Sequence, residues 1–368
     1  MIIEFSELFG EKDPDFVGTE LSRYEMFLHA HACGRHVVIL SNNLLQKLKR
    51  GKESFSNKQY AALLDIEENR SEYRGMAKNL DCSILVVPDG CSKEKEAERH
   101  KLVIDIGSFV DEEMLDRPRM LVENGTYDGL FYKYMAEAFR KDLGVNRKFS
   151  FDFASGGGTG IASEYGRMSQ EYRPLICVAD SDQASPGGAL GQTANNLLQK
   201  KGQESHPFCF IKVIGVREAE NFIPIECIDE LYEGNKEMGA VIEKLYRIRG
   251  VDLHRTEGFE TLRFTDLKRG IDTKAVRGFK NTNDSEFYIE TWRRLEPGRS
   301  SYDPWEEDIY IVPPVSDKLL PNFIGYFDRP QWQRRFAGCV RRSCVSSDVL
   351  DLARVITAFF AHPSKVTV

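Results

Sequence analysis

Apolar and polar positions alternate along this chain with two distinct periods. Residues 1 to about 115 mix helix-like and strand-like stretches. In "GTELSRYEMFLHAHACG", Leu21, Tyr24, Met26, Phe27 and Leu28 recur at helical spacing, and Gly34 is placed to end the helix. "HVVILSNN" reads as a buried strand with a polar exit. "SNKQYAALLDIEENRSEYRGMAKNL" predicts one long helix capped by Ser56, with Leu63, Leu64 and Ile66 inside. "CSILVVPDG" and "HKLVIDIGSF" are two further strands, and the charged "GCSKEKEAERHK" between them reads as a solvated connection.

"DRPR" (116–119) marks a boundary, after which a second cycle opens. "RMLVEN" is a strand, "GTYDGLFYKYMAEAFRKDLG" a turn and helix closed by Gly144, and "KFSFDFASGGGTG" a strand running into a glycine loop. "IASEYGRMSQEY" is a helix, "RPLICVADSD" a strand, and "FCFIKVIGVREAENFIP" a strand with an acidic exit. Strands alternating with helices predict a parallel sheet flanked by helices, hence an α/β fold. From about residue 228 the pattern is mainly helical and more basic. "DRPQWQRRFAGCVRRSC" is a helix begun by Pro330, and "SSDVLDLARVITAFFAHP" a helix with a serine cap and a proline stop. The expected domains are 1–115 (α/β, role unassigned), 118–226 (the second α/β unit) and 227–368 (mainly helical, basic). No internal repeat is legible.

Composition narrows the class. Hydrophobic residues make up 41% and charged residues 29% of 368 positions, as in ordinary globular chains. No apolar run approaches membrane-spanning length, and the opening residues lack the basic start of a signal peptide. The eight cysteines form no CxxC pair, so reduced thiols in a cytoplasm are expected. "HAHACGRH" puts His29, Cys33 and His36 near one helical face, but Gly34 interrupts it and no second cluster completes a zinc site. A net charge of −7 argues against a protein that coats nucleic acid, though not against one that binds it locally.

Candidate chemistry gathers at strand ends, where ligands of parallel α/β sheets bind. The second unit carries Glu123 and Asp128 after its first strand, Asp180 and Asp182 after its third, and Glu218 and Glu220 after its fourth. Residues i and i+2 of an extended segment face one way, so Asp180 and Asp182 would point together. An oxygen-only cluster suits Mg²⁺ or Mn²⁺ better than zinc, and relieves like-charge repulsion by binding it. Such a cation activates water and stabilises charge on phosphoryl oxygens, which implies phosphoryl transfer or phosphodiester hydrolysis. "SGGGTG" includes Gly157 and Gly158, which either let backbone N–H groups approach a phosphate or simply turn the chain. Of Glu218 and Glu220, the second is preferred because Asn221-Phe222 resumes the apolar run. Arg217 is a candidate partner for a site carboxylate or a phosphate. Lys268 is read as a phosphate contact or a solvated helix face. Arg334 and Arg341, seven apart with Arg335 and Arg342 beside them, form either a nucleic-acid contact or an exposed helix face.

"MLVEN" with Glu123 and "VADSD" with Asp180/Asp182, separated by a glycine loop, resemble the Toprim domain. That domain is shared by primases, topoisomerases, recombination-repair proteins and the overcoming-lysogenization-defect (OLD) nucleases. "VREAENFIP" is similar to the acidic segment of OLD-like and anti-phage Toprim nucleases. The resemblance covers about 118–226. It implies a Toprim-like sheet and a Mg²⁺- or Mn²⁺-dependent nuclease, with Glu123, Asp180 and Asp182 catalytic. The metal would be held by Glu123, Asp128, Asp180, Asp182 and Glu220. It further implies a DNA or RNA substrate (tRNA included), a toxic effector role in bacterial anti-phage defence, and restraint or activation by a partner. No Walker A sequence is present, so an ATPase, inhibitor or sensor partner would be a separate chain; a homodimer is the expected self-association. "E-N-G-T-Y-D" is one residue longer than the usual "E-G-x-x-D", which weakens the assignment of Asp128. The alternative is a non-catalytic Toprim subunit of a nucleic-acid-processing complex. A small-molecule phosphatase ranks last, because the DxD lacks the threonine that follows it in haloacid-dehalogenase phosphatases.

Overall fold

The computed structural model describes all residues except 12–17, 81, 92–100, 148, 202–207, 256–257, 298–308 and 367–368. The charged connection expected at 90–101 therefore lies almost wholly outside the described residues. The strands are β1 (Ile2–Phe5), β2 (Val37–Ile39), β3 (Ser83–Val87), β4 (Lys101–Asp105), β5 (Arg119–Val122), β6 (Phe153–Ser155), β7 (Leu175–Ala179), β8 (Cys209–Val213), β9 (Ile271–Asp272) and β10 (Tyr310–Val312). The helices of the first unit are α1 (Thr19–Ala32), α2 (Asn42–Arg50), α3 (Asn57–Glu68) and α4 (Arg70–Leu80). The second unit adds α5 (Asp128–Phe139), α6 (Ile161–Met168) and α7 (Gln192–Lys201). Then follow α8 (Ile225–Leu231), α9 (Lys236–Asp252), α10 (Thr273–Arg277), α11 (Thr282–Leu295), α12 (Leu319–Phe327), α13 (Pro330–Val340) and α14 (Ser346–Phe360).

The fold is α/β, with two four-stranded sheets ordered β2-β1-β3-β4 and β6-β5-β7-β8, every pairing in them parallel. Each sheet places its first strand between its second and third, so one topology occurs twice without a legible sequence repeat. β9 and β10 form a separate antiparallel pair. No described helix is long and apolar enough to cross a membrane.

The second sheet is covered on both faces, as parallel sheets require. Alternate strand residues Met120, Val122, Ile176 and Val178 pack with Phe131, Met135 and Phe139 of α5. Leu121, Leu175, Cys177 and Ala179 pack on the opposite face with Ile161, Tyr165 and Met168 of α6 and Leu197 of α7. Helices α12, α13 and α14 lie over α5, where the Phe327 ring packs tilted at 5.7 Å from Phe131 and 4.7 Å from Phe336. One continuous set of buried side chains joins this layer to the first unit. Phe109 meets Phe208 at 5.1 Å, and the amino group of Met1 donates to the Ala361 carbonyl at 3.2 Å.

Four local expectations are corrected. Residues 57–80 form two helices, because Asn69 turns there and its Nδ2 donates to both the carbonyl (3.1 Å) and Oδ1 (2.9 Å) of Asp65. Leu64 is exposed, whereas Leu63 and Ile66 are buried. Strand β1 and helix α2 were not expected at all. Ser346 begins α14 as its first helical residue and makes no cap hydrogen bond.

The histidine-rich stretch is structural. His31 is fully buried, its Nδ1 accepts from the Val38 amide at 3.1 Å, and its Nε2 donates to Asp65 at 2.8 Å. Burial holds its pKa below the usual histidine value. Tyr73 donates to the same Asp65 oxygen at 2.7 Å. His29 instead meets Cys33 at 3.4 Å, and burial keeps His36 well below its ordinary pKa. Asp65→Ala strands two buried donors at once. It is expected to cost about 2–4 kcal/mol in urea unfolding, and a loss below about 0.5 kcal/mol would refute the network.

Candidate active centre

The carboxyl ends of β5, β6 and β7 and the exit from β8 open into a cleft of about 650 Å³. Glu123, Asp128, Asp180 and Glu220 line it, together with Gly157, Gly158 and Lys268. Pairing of β5 directly with β7 brings Glu123 and Asp180 to neighbouring strand ends although 56 residues separate them in the chain. Ser155, from the glycine loop, also lines it, as do Tyr127 and Asp317, which were not expected from the sequence. Asp317 and Leu320 come from the C-terminal region, whose contribution no local pattern announces.

Each acid is held differently. Glu123 follows β5 directly; its backbone carbonyl accepts from Ser155 Oγ at 3.2 Å and from the Gly158 amide at 3.3 Å, which ties the glycine loop to it. Its side-chain Oε1 is buried without a hydrogen-bond partner. Gly157 and Gly158 have φ of 65° and 67°, a region that favours glycine, and a Cβ on either would meet nothing within 4 Å. Asp128 starts α5 and its Oδ2 accepts from the Asn124 amide at 2.8 Å, so one oxygen is already engaged in closing the turn.

The expected same-facing pair at Asp180 and Asp182 is not what the backbone builds. β7 stops at Ala179, and the buried Ser181 donates from Oγ to the Val216 carbonyl at 2.7 Å. Asp182 then adopts φ of 52°, donates its amide to the Arg217 carbonyl at 3.0 Å, and presses its side chain on Gly191. A Cβ at Gly191 would lie 2.4 Å from Asp182 Cβ. Asp180 faces the cleft, and Asp182 flanks Glu123 from beside it.

After β8, a short turn (Ala219–Phe222) carries Glu220, only 4% exposed. Asn221 anchors the turn: Oδ1 accepts from the Glu218 amide at 2.8 Å, and Nδ2 donates to the carbonyls of Leu262 (2.7 Å) and Thr265 (2.8 Å). Lys268 is neither a solvated helix residue nor remote. It sits in a turn made by Asp266, and its Nζ lies 3.1 Å from Glu218 Oε2 and 3.1 Å from Glu220 Oε1. Arg217 Nε stands 3.9 Å from Glu218 Oε1 without a hydrogen bond. Arg334 and Arg341 do not line the cleft; Arg334 is exposed on α13, and Arg341 Nε bonds Asp142 at 3.2 Å.

Crowding of acids shifts their protonation. Burial, then the charges of Asp182 and Asp128, push Glu123 up to about 7. Burial foremost pushes Asp128 up to about 6, and Asp180 well above the carboxylate range with help from Asp128 and Glu123. Burial also raises Glu218, although Lys268 opposes the shift. For Lys268, burial works against the charge, but Glu220 and Glu218 overcome it and hold the ammonium above its ordinary value.

The donor chemistry suits a hard cation: oxygen only, concentrated negative charge and an unpartnered buried Oε1 on Glu123. The convergence does not yet match. Among the described residues no three His, Cys, Asp or Glu side chains are gathered so as to chelate one ion. Lys268 offsets one of the two charges carried by Glu218 and Glu220. Comparison with known proteins gives no matching family model, no matching curated protein and no matching solved structure.

Proposed function

We propose that this chain is a Toprim-like, Mg²⁺- or Mn²⁺-dependent phosphodiesterase that cleaves nucleic acid. One observation carries the reading: Glu123 and Asp180 end adjacent parallel strands in an open cleft, with Asp128 and Asp182 beside them. Glu123 and Asp180 would hold the cation, with Asp182 reinforcing the negative field at Glu123. When bound, the cation supplies an activated water and charge stabilisation at a phosphoryl oxygen. The chain itself supplies position. The turn at Gly157–Gly158 leaves open space above Glu123 for a phosphate to approach the backbone. Lys268 bridges Glu218 and Glu220 and offsets one of their two charges. Tyr127, 39% exposed at the rim, offers an aromatic face to an unpaired base. A defence-effector role, a separate ATPase or sensor partner, a homodimer and a cytoplasmic site belong to the same reading and rest on the resemblance alone.

The test is incubation of the purified chain with plasmid DNA, single-stranded DNA and total tRNA in Mg²⁺, Mn²⁺ or EDTA. Cleavage in metal and none in EDTA is expected, and the cut polymer names the substrate. Cleavage that persists in EDTA would refute the reading. No cleavage in any condition, with no calorimetric Mg²⁺ or Mn²⁺ binding that Asp180→Asn removes, would favour a non-catalytic module.

A further inference from the structure

A second cavity, of about 390 Å³, lies behind the acidic turn and apart from the cleft. Its walls come from that turn, from α9, from the segment 260–263 and from the start of α14. Ile223, Pro224, Ile225 and Leu262 give it apolar lining. Part of its charged lining is deeply buried. Arg263 is 7% exposed and Glu260 9%. Arg263 uses Nη1 on Asp348 (2.7 Å) and on the Cys344 carbonyl (3.0 Å), and Nη2 on the Gly215 carbonyl (3.1 Å).

Its Nε is left over. It faces Glu260 Oε2 across 3.7 Å, too far for a hydrogen bond, and neither buried atom has another hydrogen-bond partner. A donor and an acceptor left facing each other on a cavity wall cost free energy until something bridges them. A hydroxyl does this in one group, accepting from Nε and donating to Oε2. At the cavity rim, Arg342 is exposed and has no ion-pair partner among the described residues, while Arg249 pairs with Glu226. A guanidinium so placed is suited to a phosphate.

We propose that this cavity binds a nucleoside monophosphate, or a close relative of that class, as an effector. The base lies on the apolar lining, a ribose hydroxyl bridges Arg263 and Glu260, and the phosphate meets Arg342. The volume falls within the range for small-ligand sites. The site is wired to the cleft through Asn221, which lines the cavity and also holds Glu218 and the carbonyls of Leu262 and Thr265. Occupancy therefore acts on the turn that carries Glu220.

The test is calorimetric titration of the full chain in EDTA with adenosine 5′-monophosphate, guanosine 5′-monophosphate and inorganic phosphate. One nucleotide is expected to bind in the range of about 1–100 µM, and phosphate alone at least about tenfold more weakly. Arg342→Gln and Glu260→Gln should each weaken nucleotide binding at least about tenfold. Asp180→Asn should leave it unchanged, which separates this site from the cleft whether or not the chain cleaves nucleic acid. Arg342 is exposed, so its variant remains informative even where Glu260→Gln misfolds. No binding up to about 5 mM, equal binding by wild type and Arg342→Gln, or loss of binding in Asp180→Asn would overturn the proposal.

Discussion

Glu123→Gln and Asp180→Asn are each expected to lower metal-dependent cleavage by about 10²–10³-fold, and the double variant should be little worse than either single one. The reason is adjacency. Pairing of β5 with β7 sets these carboxylates at neighbouring strand ends, so on the proposed reading both would hold the same cation and losing either would lose it. Asp128→Asn should cost about tenfold at most, because one Asp128 oxygen is committed to the Asn124 amide. The same assay contains its own control for misfolding. Asp180 is penalised by burial and also crowded by Asp128, Glu123 and Glu220, so Asp180→Asn removes the cost of a desolvated, repelled carboxylate and should raise the melting temperature in EDTA while lowering activity. Full activity in either Glu123→Gln or Asp180→Asn would remove the proposed centre.

Without metal, the protein should lose stability as pH rises from about 4.5 to about 7. Glu123 is raised to about 7 and Asp128 to about 6, first by burial and then by neighbouring acids. In the unfolded chain both carboxyls release their protons near pH 4. Between the two values the folded state binds more protons than the unfolded state, so stability falls with pH. The favourable contribution is complete below the unfolded pKa and gone above the folded one. Glu123 faces Asp182, Asp128 and Glu218, and Lys268 stays charged across the whole window, so it offsets the fall without reversing it. Partial solvent access reduces the effect to about 1–3 kcal/mol, seen as a few degrees in melting temperature. Several millimolar Mg²⁺ should flatten the curve by giving the carboxylates a partner. A melting temperature in EDTA that is constant or rises between pH 5 and 7.5 would contradict this electrostatic account.

Much of the frame was legible in the chain. The strand ends at Glu123, Asp180 and Glu220 were visible because runs such as "LICVA" are continuous and bounded by polar residues, the mark of a doubly covered parallel strand. Helix α13 announced itself through Pro330, and the turn at Gly34 (φ 66°) through its glycine. The break at Asn69 was missed, since the apolar spacing continues across it and a single side-chain-to-backbone bond decides the turn. β1 was also missed, although it is as long as β5, which was read.

What the sequence determined by itself is therefore local: which segments are strands and helices, the α/β class, and which acids stand at strand ends. These depend on side-chain periodicity and on caps within a few residues. The tertiary structure alone decided the rest. It set β5 against β7, turned Asp182 out of the extended line through contacts with Arg217 and Gly191, and carried Lys268 from a distant turn to Glu218 and Glu220. It also built the cavity where Arg263 meets Glu260 beside α14. Each of these needs surfaces far apart in the chain to be buried together. Their charges then find whichever partners the packing brings within reach, and no local pattern encodes that choice.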